Sequence, residues 1–286
     1  MVNPGQCVRI VLMEPAELTE WRHFACGLAD EARVIAAQYR GNMNVATKLD
    51  KSVVTDADHA IQHHICHAIK NLDPTHAVLC EEKADYLKDM PRPADSEFCW
   101  VIDPLDGTRN YVRGLPSCCT SIALLKGGLP IIGVIGDMNS SDNYSAVTGH
   151  GMWLNDQKIT AVDANECGKP VVSFQPSHTL LDVDRLPTWT QRVRVRNFGS
   201  SAMHLAYVAM GALDGAVCMD CRVWDFAAGY LLVIESGGLM TCGDGDELFP
   251  FDMTLDTSRG ATFIAARRAL HAHLVEPSEL SSQTHS

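Results

Sequence analysis

The chain has 286 residues, with 35 acidic against 23 basic side chains and a formal charge of −12. Hydrophobic residues make up 46% and charged residues 20%, which excludes a disordered or fibrous chain. The acidic balance argues against a nucleic-acid polymer or an anionic membrane as partner, and no apolar run reaches the ~20 residues that span a bilayer.

A small phosphorylated ligand stays open, because a bound divalent cation reverses the sign of a local site. The first fifteen residues lack a basic segment followed by an apolar one, so a secretory leader is not expected and a cytoplasmic location is. Eleven cysteines, an odd number, read as reduced cytosolic thiols packed as small apolar side chains. Cys218-x-x-Cys221 has no second ligand pair at zinc-site spacing, so packing is its expected role as well.

Residues 16–40 place Leu18, Trp21, Phe24, Leu28, Ala32 and Ile35 near helical spacing. Residues 41–52 are polar and read as a loop. A second helix follows Thr55, with Asp56 and Asp58 at its start and Ile61, Ile65, Ile69 and Leu72 as its core stripe. His59, His63 and His67 fall opposite that stripe and read as a solvated face. Short apolar runs at 76–80 and 98–102 end in carboxylates and read as strands. The runs 121–125 and 131–135 flank Lys126-Gly127-Gly128 as a hairpin. Further strands are expected at 146–148 and 151–154, with a turn at Asn155-Asp156. A polar stretch near residue 165 marks a junction between two halves, 1–165 and 166–286. The second half takes strands at 171–174, 215–219 and 262–265. Its helices are 200–210, 225–236, stopped by Gly237-Gly238, and 267–275. The polar tail from Pro277 is expected to fray. Strands and helices in mixed order predict layered α/β or α+β packing.

The sharpest segment is Trp100-Val-Ile-Asp103-Pro-Leu-Asp106-Gly-Thr108-Arg-Asn110. A strand delivers Asp103, Pro104 breaks it, and Gly107 permits a tight turn. Two carboxylates and the Leu105 carbonyl can then point at one place, as oxygen donors of the kind Mg²⁺ takes. A helix opening at Thr108 offers N–H groups to a phosphate. The spacing differs from the Asp-x-Asp-Gly-Thr loop of phosphatases with an aspartyl nucleophile. Pro104 stands where that nucleophile would be, so a phospho-aspartate is not expected. Glu81-Glu82 follows the run 76–80, Asp56 and Asp58 open one helix, and Asp225 opens another. Separately each is a helix cap or a surface charge; converging, they would line a metal pocket.

These elements resemble the inositol monophosphatase family of Mg²⁺-dependent, lithium-sensitive phosphatases. Residues 100–111 match the signature W-V-I-D-P-[LI]-D-G-T-x-N-[FY]. Residues 224–229 and 235–238 match W-D-x-A-A-G and E-x-G-G, and residues 54–58 match V-T-x-A-D. Cys80-Glu81-Glu82 matches G-E-E with cysteine in place of glycine. The order matches too, over residues 16–275.

The resemblance implies a layered α-β-α-β-α sandwich, a homodimer, and two to three Mg²⁺ ions per active site. It implies that Glu81, Asp103 and the Leu105 carbonyl hold one ion. Asp103, Asp106 and Asp225 would hold a second, and a third would lean on Glu81. Thr108, paired with Asp58, would position the attacking water, with Glu82 and the loop lysine Lys48 completing the catalytic group. The backbone of Gly107 and Thr108 would grip the phosphate. Gly199-Ser200-Ser201-Ala202 matches the substrate segment Gly-[ST]-x-A.

Inositol-directed members carry a Glu seven residues before the W-D aspartate. Cys218 stands there, with Asp220 the nearest acid, so these two are candidate specificity residues; a thiol is a poor acceptor. Arg109 and Asp225-Phe226-Ala227-Ala228 are common among histidinol-phosphate phosphatases. The expected function is a Mg²⁺-dependent phosphomonoesterase acting on inositol monophosphate or a related polyol phosphate. Histidinol phosphate and 3′-phosphonucleotides are the alternative substrates. A silent phosphate-binding relative is the different class, and the intact acid set speaks against it.

Overall fold

The computed structural model describes residues 13–48, 52–159, 168–176, 191–254 and 260–275. Two helices open the fold. α1 (Pro15–Tyr39) has proline in its first turn, where no N–H partner is needed. It buries Leu18, Ala25, Leu28, Ala32 and Ala36 along one stripe. α2 (Asp56–Leu72) starts with a capping box between Thr55 and Asp58 and buries Ile61, Ile65 and Ile69. His59, His63 and His67 are exposed, as expected of a solvated face.

Both helices pack on a seven-stranded sheet. Its strands are β3 (Ala77–Cys80), β4 (Phe98–Asp106), β5 (Cys119–Lys126), β6 (Leu129–Asp137), β7 (Asn143–Val147), β8 (Gly151–Leu154) and β9 (Gln157–Ile159), in that spatial order. All neighbours are antiparallel except β3 with β4. β5 and β6 are buried on both faces, which explains their continuous apolar runs.

A five-stranded sheet takes β10 (Val171–Gln175), β11 (Arg194–Arg196), β12 (Gly215–Cys221), β13 (Leu239–Cys242) and β14 (Ala261–Ala266). Its spatial order is β11-β10-β12-β14-β13. Helices α4 (Ser201–Ala209) and α5 (Val223–Glu235) touch both sheets. Helix α6 (Arg268–Val275) covers β13 and β14 from outside. The layers therefore run α-β-α-β-α, as the resemblance implied. Sandwiched between sheets, α4 and α5 are apolar nearly all round, and their crossing is close. A Cβ on Gly229 would lie 2.4 Å from Leu205 Cδ1.

The helix bounds agree with the sequence pattern to within two residues. The polar stretch 41–52 is a loop only in part. β1 (Val45–Thr47) pairs with β2 (Val53–Thr55) as an antiparallel hairpin. β1 is exposed throughout, so it carries no hydrophobic alternation to read. β9, β11 and β13 have three or four residues each, too few for periodicity to mark them. The junction expected near residue 165 and the tail from Pro277 lie outside the described residues. Among the described residues, no helix is long and apolar enough to cross a membrane.

Candidate active site

β4 runs on past Ile102 to Asp106, through Pro104. Its ladder with β5 shifts register there: Asp103 faces Ser121 and Asp106 faces Cys119, so three steps of β4 match two of β5. Proline has no N–H to give the ladder, and the bulge absorbs it. Thr120 Oγ1 donates to the Pro104 carbonyl at 2.8 Å. The extra residue cancels the alternation that would send side chains three apart to opposite faces. Gly107 follows with φ of 82°, and a Cβ there would meet the Ser117 carbonyl at 2.8 Å. Only glycine fits this turn. α3 (Thr108–Arg113) starts at once.

Of the expected residues, Glu81, Asp103, Leu105, Asp106, Gly107, Thr108, Gly199, Ser201 and Asp225 line one cavity of about 170 Å³. Asp103, buried, and the half-buried Asp106 and Asp225 each commit an oxygen to a fixed donor. Asp103 Oδ1 accepts from Leu105 N at 2.9 Å. Asp106 Oδ2 accepts from Ser200 Oγ and Ala202 N, both at 2.7 Å. Asp225 Oδ2 accepts from Arg222 N at 2.7 Å. Burial raises all three carboxyls above the usual range. Glu81 and neighbouring aspartates raise Asp103 and Asp225 further. Like charges this close in a desolvated cleft call for a cation between them.

Asp58 lies behind the cavity wall. Its Oδ2 accepts from Thr55 N at 2.8 Å and Thr55 Oγ1 at 2.5 Å. Thr108 Oγ1 stands 3.3 Å from Asp58 Oδ1 and 2.9 Å from the Leu105 carbonyl. Burial, then the charges of Glu81 and Glu82, push the Asp58 carboxyl up to about 7 against the hydrogen bonds from Thr55. Lys48 leaves the β1–β2 hairpin and donates to Glu81 Oε1 at 2.7 Å, and it also pairs with Glu82. Burial works against the Lys48 ammonium, but the two glutamates outweigh it and raise its pKa. Gln62 holds the Glu82 backbone on both sides, donating to its carbonyl at 2.7 Å and accepting from its N–H at 2.9 Å.

The oxygen-only donor set fits a hard divalent cation. Among the described residues no three acidic, histidine or cysteine side chains are gathered as a ready metal cage. Lys48 holds Glu81 instead.

Some expected residues sit elsewhere. The Ser200 hydroxyl faces Asp106 and caps α4 through Met203 N at 3.2 Å. Glu82 turns to Lys48. Cys218, expected beside the substrate, is fully buried, with His204 Nδ1 3.6 Å from its sulfur. Its strand is covered by α4, so the thiol does not reach the cavity. Asp220 is exposed, has φ of 58°, and pairs with Arg222 Nη1 at 2.8 Å. Neither residue borders the cleft.

Gln175 does border it, beside Arg109, Ser52 and Val53. Sequence reasoning missed Gln175, which ends β10 where that strand runs parallel to β12. The carboxyl ends of parallel strands are where ligands bind in such sheets, and that was its available signal.

A model of the inositol monophosphatase family matches residues 17–283. The chain is 33% identical over 215 residues to Nus factor SuhB of Pasteurella multocida, covering 72% of this chain and 79% of the relative. It is 31% identical over 213 residues to an inositol-1-monophosphatase of Mesorhizobium japonicum, covering 72% and 78%. The solved inositol monophosphatase of Anabaena superposes with a TM-score of 0.75 at 28% identity, covering 91% of this chain and 95% of that one. By sequence and by fold, the chain belongs to the inositol monophosphatase family.

Proposed function

We propose that the protein is a Mg²⁺-dependent phosphomonoesterase acting on a small phosphorylated polyol, with inositol monophosphate the first candidate. The observation that carries this reading is the Thr108–Asp58 pair beside a cleft lined by Glu81, Asp103, Asp106 and Asp225. Those four acids, with the Leu105 carbonyl, would hold the metal. Bound Mg²⁺ supplies charge neutralisation on the phosphoryl oxygens, a more acidic water and a stabilised leaving alkoxide.

The chain's own residues do the rest. Asp58 draws on Thr108 Oγ1, and Thr108 orients the attacking water. Gly107 and the first turn of α3 hold the phosphate through backbone N–H groups. Ser200 and Ala202 N fix Asp106, and Arg222 N fixes Asp225, so the acids stay aimed without substrate. The cleft wall offers the leaving group neutral Gln175 and Ser201.

Histidinol phosphate and 3′-phosphonucleotides are the second reading. Its support is Arg109, which borders the cleft and is common among histidinol-phosphate phosphatases. Nine cysteines among the described residues are free thiols, in keeping with a reducing, cytoplasmic compartment. A homodimer belongs to the same reading, as the commonest symmetric assembly. The test is phosphate release from inositol 1-phosphate, histidinol phosphate, 3′-phosphoadenosine 5′-phosphate and fructose 1,6-bisphosphate, with Mg²⁺ and with chelator. Metal-dependent hydrolysis fastest on inositol 1-phosphate is expected. Full activity in chelator would overturn the metal mechanism, and no hydrolysis of any substrate would overturn the phosphatase reading.

A further inference from the structure

Cys218-Met-Asp-Cys221 lies in β12, behind the cleft wall. An unbroken strand turns residues three apart to opposite faces. Here the ladder with β14 shifts register between the two cysteines: Cys218 faces Phe263 and Cys221 faces Ala261. Three steps of β12 therefore match two of β14, with the left-handed Asp220 between the cysteines. Both thiols point into the same core, Cys218 0% and Cys221 2% exposed. The bulge lets both side chains leave the strand on one side, as a disulfide between them requires.

The two thiols lie near enough for each to shift the other's titration. His204 Nε2 accepts from Phe198 N at 2.9 Å, which leaves Nδ1, 3.6 Å from Cys218 Sγ, to point an N–H at the sulfur. Burial disfavours the Cys218 thiolate, but Cys221 and His204 beside it outweigh burial and lower the pKa. Cys218 beside it, and then burial, raise the Cys221 thiol. One sulfur is thus prepared to attack and the other to resolve.

We propose that Cys218 and Cys221 form a reversible disulfide, a redox modification site that slows turnover in the adjoining cleft. The oxidant is a hydroperoxide. With hydrogen peroxide, the Cys218 sulfur attacks the O–O bond and becomes a sulfenic acid, and the first water leaves. The Cys221 sulfur then attacks the Cys218 sulfur, its proton departs with the hydroxyl as a second water, and the S–S bond remains. Two thiols and one peroxide give one disulfide and two waters. Reduction by an external dithiol reverses the step.

The link to the cleft is a short chain. Cys221 Sγ lies 3.4 Å from Ser201 Oγ, which accepts from Gln175 Nε2 at 2.9 Å. Ser201 and Gln175 both line the cavity. Drawing Cys221 to Cys218 takes this partner from Ser201 and loosens that wall. Disulfide formation is independent of the phosphatase reading, whereas its effect on turnover rests on it.

Trypsin releases residues 197–222 as one peptide, with both cysteines and no internal Lys or Arg. The full chain, with Mg²⁺, is treated with hydrogen peroxide, alkylated and digested, while hydrolysis of p-nitrophenyl phosphate is followed. The peptide is expected to resist alkylation, to lose two hydrogens in mass, and to recover both thiols with dithiothreitol. Hydrolysis should fall at least ~5-fold in step and return on reduction. Cys218→Ser and Cys221→Ser, each compared with its own reduced rate, should escape that fall. A peptide that still alkylates twice after peroxide overturns the proposal. So does a disulfide that forms without slowing hydrolysis. If the reduced chain hydrolyses nothing, the phosphatase reading fails and with it the effect on turnover, while the peptide mass still decides the disulfide.

Discussion

Thr108 Oγ1 stands 3.3 Å from Asp58 Oδ1, and the other oxygen of Asp58 is tied to Thr55. The carboxylate that caps α2 is thus also the one that reaches Thr108 at the cleft. Asp58→Asn and Thr108→Val should each lower kcat by about 10²–10⁴, the range for losing a positioned proton acceptor or donor. The double variant should cost little more than either single, since they act as one unit. Additive losses would show that the two residues work separately.

The same aspartate gives a pH signature. Its folded-state pKa, pushed up to about 7 from 3.8 by burial first, exceeds the unfolded value. Across that window the folded state binds more protons than the unfolded one, so this group's contribution to stability falls as pH rises from about 4 to 7. Denaturant titrations in chelator should show a flatter pH slope for Asp58→Asn than for wild type. Equal slopes would mean that Asp58 is ionised throughout.

Asp103 sets function against stability. Burial and then the charges of Glu81, Asp106 and Asp225 raise its pKa, so in the metal-free protein it adds repulsion to a desolvated cluster. Asp103→Asn keeps an oxygen for the Leu105 N–H. The metal-free variant should melt higher than wild type, by ~2–4 °C for each kcal/mol of relief. It should lose most of its activity and most of the Mg²⁺-induced rise in Tm. A lower Tm in chelator would remove the case for repulsion.

Legibility followed side-chain chemistry more closely than backbone detail. The acids at 81, 103, 106 and 225, which the fold gathers at one cleft, stood out in the sequence because each closes an apolar run or opens a helix. The bulge at Pro104 was not legible: the proline reads as a strand break, whereas β4 runs through it to Asp106. The corresponding bulge at Cys218-x-x-Cys221 gives no signal without the β14 register. For that reason a motif alignment puts Cys218 beside the substrate, while the fold turns it inward. β1 escaped because it is exposed throughout, with no buried face to impose alternation.

Gly229, within the second signature, has a packing role. An added Cβ would meet Leu205 Cδ1 at 2.4 Å and Leu205 Cβ at 2.5 Å. The Leu205 Cβ is fixed to its backbone, so α4 and α5 would have to part. Gly229→Ala should destabilise by about 1–3 kcal/mol, the cost of overpacking. Helix propensity, which favours Ala over Gly by ~1 kcal/mol, offsets part of this. A Tm at or above wild type would show that the helices accommodate the methyl.

Cys218→Glu separates the two placements of this residue. Beside the substrate, the new carboxylate would raise kcat/KM for inositol 1-phosphate relative to glycerol 2-phosphate. Enclosed under α4 with His204 as its polar neighbour, it has no water and must protonate, pair with the imidazole, or unfold its surroundings. The expected result is therefore a loss of several kcal/mol in stability, with a Tm lower by ~10 °C or more. Cys218→Ser, smaller and neutral, should lose much less. The substrate ratio of whatever Cys218→Glu protein folds should stay near that of wild type. A variant that melts like wild type and gains selectivity for inositol 1-phosphate would return Cys218 to the cleft wall.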